Sequence, residues 1–178
     1  MTVKTVFAGF GGQGVLMMGY LLAFAAMRQG KHVTYLPSYG AEVRGGTANC
    51  TVVVSDEEIA SPVSSSPDCA VVMNNPSLLK FANLVRTGGT ILLNSTLVQA
   101  AVNRTDVNVI QVPASDLAHE LGEDRSANVV MMGAFAKATG ILGLEAFKEA
   151  LSDTNLGKKP KVLELNRRAL EVGAAQVR

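Results

Sequence analysis

The 178-residue chain has no tryptophan, two cysteines, two histidines and few aromatic side chains, and its charges nearly cancel at a net +1. Each shortage closes off a class of function. Without a basic field or an aromatic platform, nucleic-acid binding is disfavoured. Cys50 and Cys69 both fall in strand-like runs, so they read as small buried hydrophobes rather than as a disulfide or a metal pair, which suits a reducing compartment. The longest apolar run, residues 15–27, is interrupted by Gly19. It falls short of the roughly 18 residues expected of a spanning helix, so no membrane association is expected. The first strand-like run begins almost at Met1, with no charged and apolar leader before it, and a cytoplasmic location follows as an expectation.

What is present is a chain long enough for one domain that buries roughly 70% of its unfolded surface without staples. Nearly half of its residues are apolar and only 17% are charged. A sheet covered by helices on both faces raises apolar content, and so does an interface with another chain; the two are compatible.

The stretch Val6-Phe7-Ala8-Gly9-Phe10-Gly11-Gly12-Gln13-Gly14 sets a glycine loop between an apolar strand-like run and a long apolar helix-like run. Gly9, Gly11 and Gly14 have the G-x-G-x-x-G spacing, with Gly12 extra. The chain can then turn tightly and approach a ligand, and free amides at the helix start attract an anion. A dinucleotide site also needs a carboxylate about 20 residues further on, at the end of the second strand. There the chain has Leu36-Pro37-Ser38-Tyr39, and the first carboxylate is Glu42, in a loop. An ordinary NAD site is therefore disfavoured, and a turn that merely packs helix on strand stands as the plain alternative.

Strands are expected at residues 3–8, 32–36, 50–54, 68–73, 90–93 and 107–112. Helices are expected from the glycine loop to Arg28, after Asn74-Asn75-Pro76-Ser77, and at 114–121, 128–139, 144–151 and 161–172. Val162, Leu165, Ala169 and Val172 mark the apolar stripe of the last. Asn128 reads as an N-cap. Met131, Met132 and Gly133 read as a close-packing or partner-facing surface. The Ser/Pro-rich connection after the 50–54 strand leaves no room for a helix, so that strand pairs antiparallel with a neighbour. The whole is one α/β domain over residues 1–178, a three-layer Rossmann-like sandwich on a mixed, mostly parallel sheet.

Four polar clusters fall after strands: the glycine loop, residues 39–46, Asn74-Asn75 and Asn94-Ser95. Together they would line one rim at the carboxyl ends of the strands, where open α/β sheets collect ligands. The binding candidates are Gly9, Gly11, Gly12, Gln13, Gly14, Tyr39, Glu42, Arg44, Gly45, Gly46 and Asn75. Arg44 suits a carboxylate or phosphate, or alternatively an ion pair with Glu42 that pins the loop. Ser38 lacks a G-x-S-x-G context, and His32 and His119 lie in no motif that pairs them with a nucleophile. No catalytic residue and no metal ligand is assigned, and catalysis by this chain alone is not expected.

Gly9-Phe10-Gly11-Gly12-Gln13-Gly14, Ser38-Tyr39-Gly40-Ala41-Glu42-Val43-Arg44-Gly45-Gly46, Asn75-Pro76-Ser77 and Asn128-Val129-Val130-Met131-Met132-Gly133-Ala134 together resemble the gamma subunit of 2-oxoacid:ferredoxin (flavodoxin) oxidoreductases, from the first strand to Leu165-Asn166. The resemblance implies a complex whose alpha, beta and, where present, ferredoxin-like delta subunits hold thiamine diphosphate, Mg and 4Fe-4S clusters. That complex would oxidise a 2-oxoacid to an acyl-CoA, and 2-oxoglutarate is the first expectation, ahead of branched-chain 2-oxoacids and pyruvate. This chain has neither a cysteine series for a cluster nor a G-D-G segment for thiamine diphosphate, so it would hold no cofactor alone and would complete the catalytic assembly near the thiamine and CoA sites. Val129-Val130-Met131-Met132 departs from the family's Met-Val-Ala-Leu-like run but conserves its volume and apolarity. A free-standing nucleotide-binding oxidoreductase and a purely structural scaffold are the alternatives. An isolated copy has apolar surface with which to pair as a homodimer.

Overall fold

The computed structural model describes residues 1–38 and 47–178. Among the described residues six strands form one sheet: β1 (Thr2–Phe10), β2 (His32–Ser38), β3 (Thr47–Ser55), β4 (Cys69–Val72), β5 (Thr90–Asn94) and β6 (Asn108–Val112), in the order β2-β3-β1-β4-β5-β6. β1, β4, β5 and β6 run parallel, and β3 is antiparallel to both β1 and β2. Because β3 runs backwards, it ends on the side of the sheet where β4 begins. The helix-free segment 56–67 is then enough to join them.

The helices are α1 (Val15–Arg28), α2 (Asn75–Phe81), α3 (Ala114–Glu120), α4 (Ala127–Thr139), α5 (Leu144–Ser152) and α6 (Pro160–Ala174), with short 3-10 turns at Ala82–Leu84 and Asp124–Ser126. They divide unequally between the faces of the sheet. Phe7, Cys50, Val52, Val71 and Leu92 point from the strands into the main core, which residues of α1, α3, α4, α5 and α6 complete. The opposite face carries Ala70, Val72, Ile91 and Leu93 against Leu78 of α2 and Val85. This alternation is the two-residue period of a strand covered on both sides, and it explains the high apolar content. Phe7 and Phe135 are fully buried, with ring centroids 5.6 Å apart.

α4 is buried continuously from Ala127 to Ala136, which fits a helix enclosed between the sheet and other helices. Gly133 of α4 and Gly173 of α6 explain how closely α6 covers it. A β-carbon on Gly133 would collide with the carbonyl of Leu170, and one on Gly173 with the carbonyl of Val130. Met131 and Met132 are buried as well. This segment therefore packs within the chain, and its partner-facing alternative is excluded.

Two expectations are corrected. Asn128 is not the cap of α4, because the 3-10 turn Asp124–Ser126 feeds directly into the helix and places Ser126 at the cap position, leaving Asn128 inside the first turn. The buried stripe of α6 is Asn166, Ala169, Leu170 and Gly173, whereas Val162 is 40% exposed. The close glycine contact with α4 rotates α6 away from the face that hydrophobicity alone selects. Among the described residues no helix is long and apolar enough to cross a membrane.

Candidate functional site

The carboxyl ends of β1, β4, β5 and β6 share one edge of the sheet, and β2 ends there too because two antiparallel pairings restore its direction. The glycine loop leaves β1 at this rim. Gln13 holds the loop shut: its Oε1 accepts from the Phe10 amide at 2.6 Å, and its Nε2 donates to the Met73 carbonyl at 3.2 Å. Gly14 then opens α1 with φ at 74°, in the left-handed region. A side chain there would be strained and would also strike Asn128. The Asn128 Nδ2 donates to the Gly14 carbonyl at 3.4 Å, and its Oδ1 accepts from the Val129 amide at 2.9 Å. Asn128 thus ties the start of α4 to the start of α1, 114 residues away in sequence.

Around this clasp lies a cavity of about 220 Å³, lined among others by Gly12, Gln13, Met73, Leu97, Ser115 and Arg125. The ends of β1 and β4, the segment after β5 and the starts of α3 and α4 meet in it. Of the four clusters expected at the rim, the glycine loop lines this cavity through Gly12 and Gln13, whereas Asn74-Asn75 and Asn94-Ser95 lie on the segments beside it and outside its lining. Residues 39–46, with the candidates Tyr39, Glu42, Arg44, Gly45 and Gly46 and the Glu42–Arg44 ion pair, lie outside the described residues. Their neighbours Ser38 and Thr47 stand at the same edge, paired to Asn49 and Phe10.

The asparagines at the rim act on the scaffold. Asn74, buried, caps α2 by accepting from the Ser77 amide at 2.9 Å. Asn75 accepts from the amides of Gln99 and Ala100 at 2.9 and 3.0 Å, which fixes the segment after β5. Asn94, also buried, donates from Nδ2 to the Ser115 hydroxyl at 2.9 Å and so sets the start of α3.

Sequence reasoning missed Arg125 and Ser115. Arg125 sits on the turn Asp124–Ser126, which is held by three bonds to Glu123, one of them from the Ser126 amide to the Glu123 carbonyl at 3.0 Å. The Arg125 amide donates to its Oε1 at 3.2 Å, and the buried Ser126 hydroxyl to its carbonyl at 2.7 Å. Among the described residues no hydrogen bond or ion pair engages the Arg125 guanidinium, which is exposed beside the cavity. The available signal was a cation just before an apolar helix, where the dipole disfavours positive charge. His119, on α3, pairs through Nδ1 with Asp124 at 2.9 Å, and both are exposed.

The lining offers loop amides, a hydroxyl and a guanidinium suited to an anion, with the Asp124 carboxylate beside them. The two thiols do not join it. Both are buried in the sheet, and burial pushes Cys50 up to about 12 and Cys69 higher still. Among the described residues no group of three His, Cys, Asp or Glu side chains is placed to hold a metal ion.

The family model described as pyruvate ferredoxin/flavodoxin oxidoreductase matches residues 4–176. The chain is 46% identical over 178 residues to the ketoisovalerate oxidoreductase subunit VorA of Methanothermobacter thermautotrophicus, covering 99% of this chain and 36% of that protein. It therefore spans about a third of that relative's length. To the 2-oxoglutarate synthase subunit KorC of Methanothermobacter marburgensis it is 38% identical over 154 residues, 83% of each chain. The solved gamma subunit of a keto/oxoacid ferredoxin oxidoreductase from Geobacter sulfurreducens superposes with a TM-score of 0.83 at 27% identity, covering 98% of this chain and 97% of that one.

Proposed function

The chain belongs to the pyruvate ferredoxin/flavodoxin oxidoreductase family, and from that premise we propose that it is the gamma component of a thiamine-diphosphate-dependent 2-oxoacid:ferredoxin oxidoreductase. Family membership over residues 4–176 carries this reading. The character of the rim supports it, since amides, Ser115 and Arg125 suit holding and enclosing an anionic group that another subunit transforms. Thiamine diphosphate, Mg, iron–sulfur clusters and the CoA acceptor are assigned to the complex. The two buried, protonated thiols of this chain do not fit a cluster. Thiamine diphosphate would supply the carbanion chemistry in its own subunit. The gamma chain would contribute a fixed glycine loop, the guanidinium of Arg125, free among the described residues, and, through Arg44, a second cation, with exclusion of water between the facing surfaces.

Two substrate classes are in play. 2-Oxoglutarate, the first expectation from the Gly40 to Gly46 loop, is supported by the KorC relationship, and a branched-chain 2-oxoacid by the higher identity to VorA. Co-expression with the neighbouring subunits, recovery through a tag on this chain, and assay of the eluate for thiamine, iron and ferredoxin reduction with each 2-oxoacid test the proposal. Larger chains carrying thiamine and iron are expected. A chain recovered alone, binding a nucleotide, would favour the free-standing oxidoreductase instead. Arg44→Ala in an intact complex is expected to lower turnover about tenfold or more. Unchanged turnover would reduce the 39–46 segment to a scaffold.

A further inference from the structure

The first turns of α4 and α6 lie side by side, and between them runs a groove of about 450 Å³ that the rim does not include. Its apolar floor is Leu156, Val162 and Leu165, the last two from the stripe expected in α6, where Ala169 is buried, Leu165 half-buried and Val162 exposed. Asn166 lies in its wall and is 4% exposed. Its Nδ2 donates to the Leu156 carbonyl at 2.8 Å, while its Oδ1 has no partner among the described residues.

The charge of the groove runs against the helices that build it. The N-terminal ends of α4 and α6 already carry partial positive charge, and neither helix has an acidic residue in its first turn. Instead Arg125 precedes α4, and Lys158, Lys159 and Lys161 surround the start of α6. Among the described residues no ion pair engages any of these four. Glu123, the one carboxylate in the wall, bonds the Arg125 amide. Two cations against one carboxylate over an apolar floor, with the Asn166 Oδ1 engaged by no protein donor among the described residues, are complementary to one kind of occupant.

We propose that this groove docks a segment of another subunit that presents an apolar side chain flanked by Asp or Glu, its backbone N–H meeting Asn166 Oδ1. The carboxylates would complement Arg125 and Lys161, and the apolar side chain would cover Val162 and Leu165. The inference rests on the reading of the chain as one component of a complex.

The test uses Lys161→Glu combined with Val162→Asp, because both positions are exposed and neither lines the rim cavity; Lys137→Glu, exposed near the far end of α4, is the control. Affinity of the tagged chain for its co-expressed subunits is measured between about 50 and 300 mM salt. The double variant is expected to weaken assembly about tenfold or more with an unchanged Tm, and to flatten the salt dependence that the wild type and Lys137→Glu share. Wild-type affinity in the double variant would overturn the docking inference while leaving the family function standing. Failure of the wild-type chain to recover any subunit would sink the subunit reading and the groove with it. Pyrophosphate is titrated into the isolated chain in parallel. Saturable binding that Lys161→Glu abolishes, with assembly intact, would make the groove a small-anion site and overturn the peptide assignment.

Discussion

At Gly14 two constraints meet in one residue: a left-handed φ of 74° and the nearness of the Asn128 side chain. Gly14→Ala is expected to destabilise the chain by about 2–3 kcal/mol, read as a lowered urea midpoint. In an Asn128→Ala background part of that loss disappears, because the collision is relieved while the backbone strain remains. A coupling of about 0.5 kcal/mol or more is the expected outcome, and strict additivity would remove Asn128 from the explanation. The cysteines give a pH prediction. Cys50 is raised to about 12 by burial, so its reactive thiolate is scarce at pH 8. Iodoacetamide should leave the native chain unlabelled and alkylate both thiols once it unfolds. Asp56 shifts the other way, to about 2, through its bond with Lys31 and then the Met1 ammonium. A lowered folded pKa contributes stability above the unfolded value near 3.8, and that contribution is lost as pH falls through about 2. The pairs are exposed, so the wild-type advantage over Asp56→Asn should be small at pH 6 and vanish by about pH 2.

At the scale of elements, the crossing of α4 and α6 decides most. A glycine inside a helix normally loses about 0.5–1 kcal/mol relative to alanine, so propensity alone makes Gly133→Ala stabilising. The contact reverses the sign: the new methyl would meet the Leu170 carbonyl, a backbone atom that cannot rotate aside. Gly133→Ala and Gly173→Ala are each expected to destabilise by about 3 kcal/mol, measured by denaturant titration. A rise in Tm would mean that the two helices leave room for a methyl group at their crossing. The same crossing explains why the buried face of α6 coincides with the periodic stripe only at Ala169. Periodicity identifies an amphipathic helix, but a small-residue contact selects the face that packs, and Val162 and Leu165 are left to line the groove.

For the whole molecule, most of the architecture was legible in the chain. The strands, the helices and the antiparallel β3 follow from apolar runs, glycine and proline punctuation and the length of the 56–67 connection. The rim was partly legible, because a ligand edge in an α/β sheet is set by strand direction. Gln13 and Asn75 were marked as ligand-facing, yet each has hydrogen bonds inside the scaffold, to Phe10 and Met73 and to Gln99 and Ala100. A polar residue beside a turn looks the same in sequence whether it faces a ligand or a backbone amide. Ser115 carries no signal in the sequence and Arg125 only a cation before an apolar helix, because both reach the cavity from elements more than 100 residues beyond the glycine loop.

The sequence by itself determined the family, the order of the elements and the glycine turn, since these depend on local residue types and on motif spacing along the chain. Tertiary structure alone decided which face of α6 is buried, that Asn128 clasps Gly14 rather than capping its helix, and that Arg125 stands between the rim and a cationic groove. The physical reason is the same in each case. These outcomes depend on contacts between residues tens to more than a hundred positions apart, and such contacts are selected by backbone approach and shape, for which hydrophobicity and propensity carry no record.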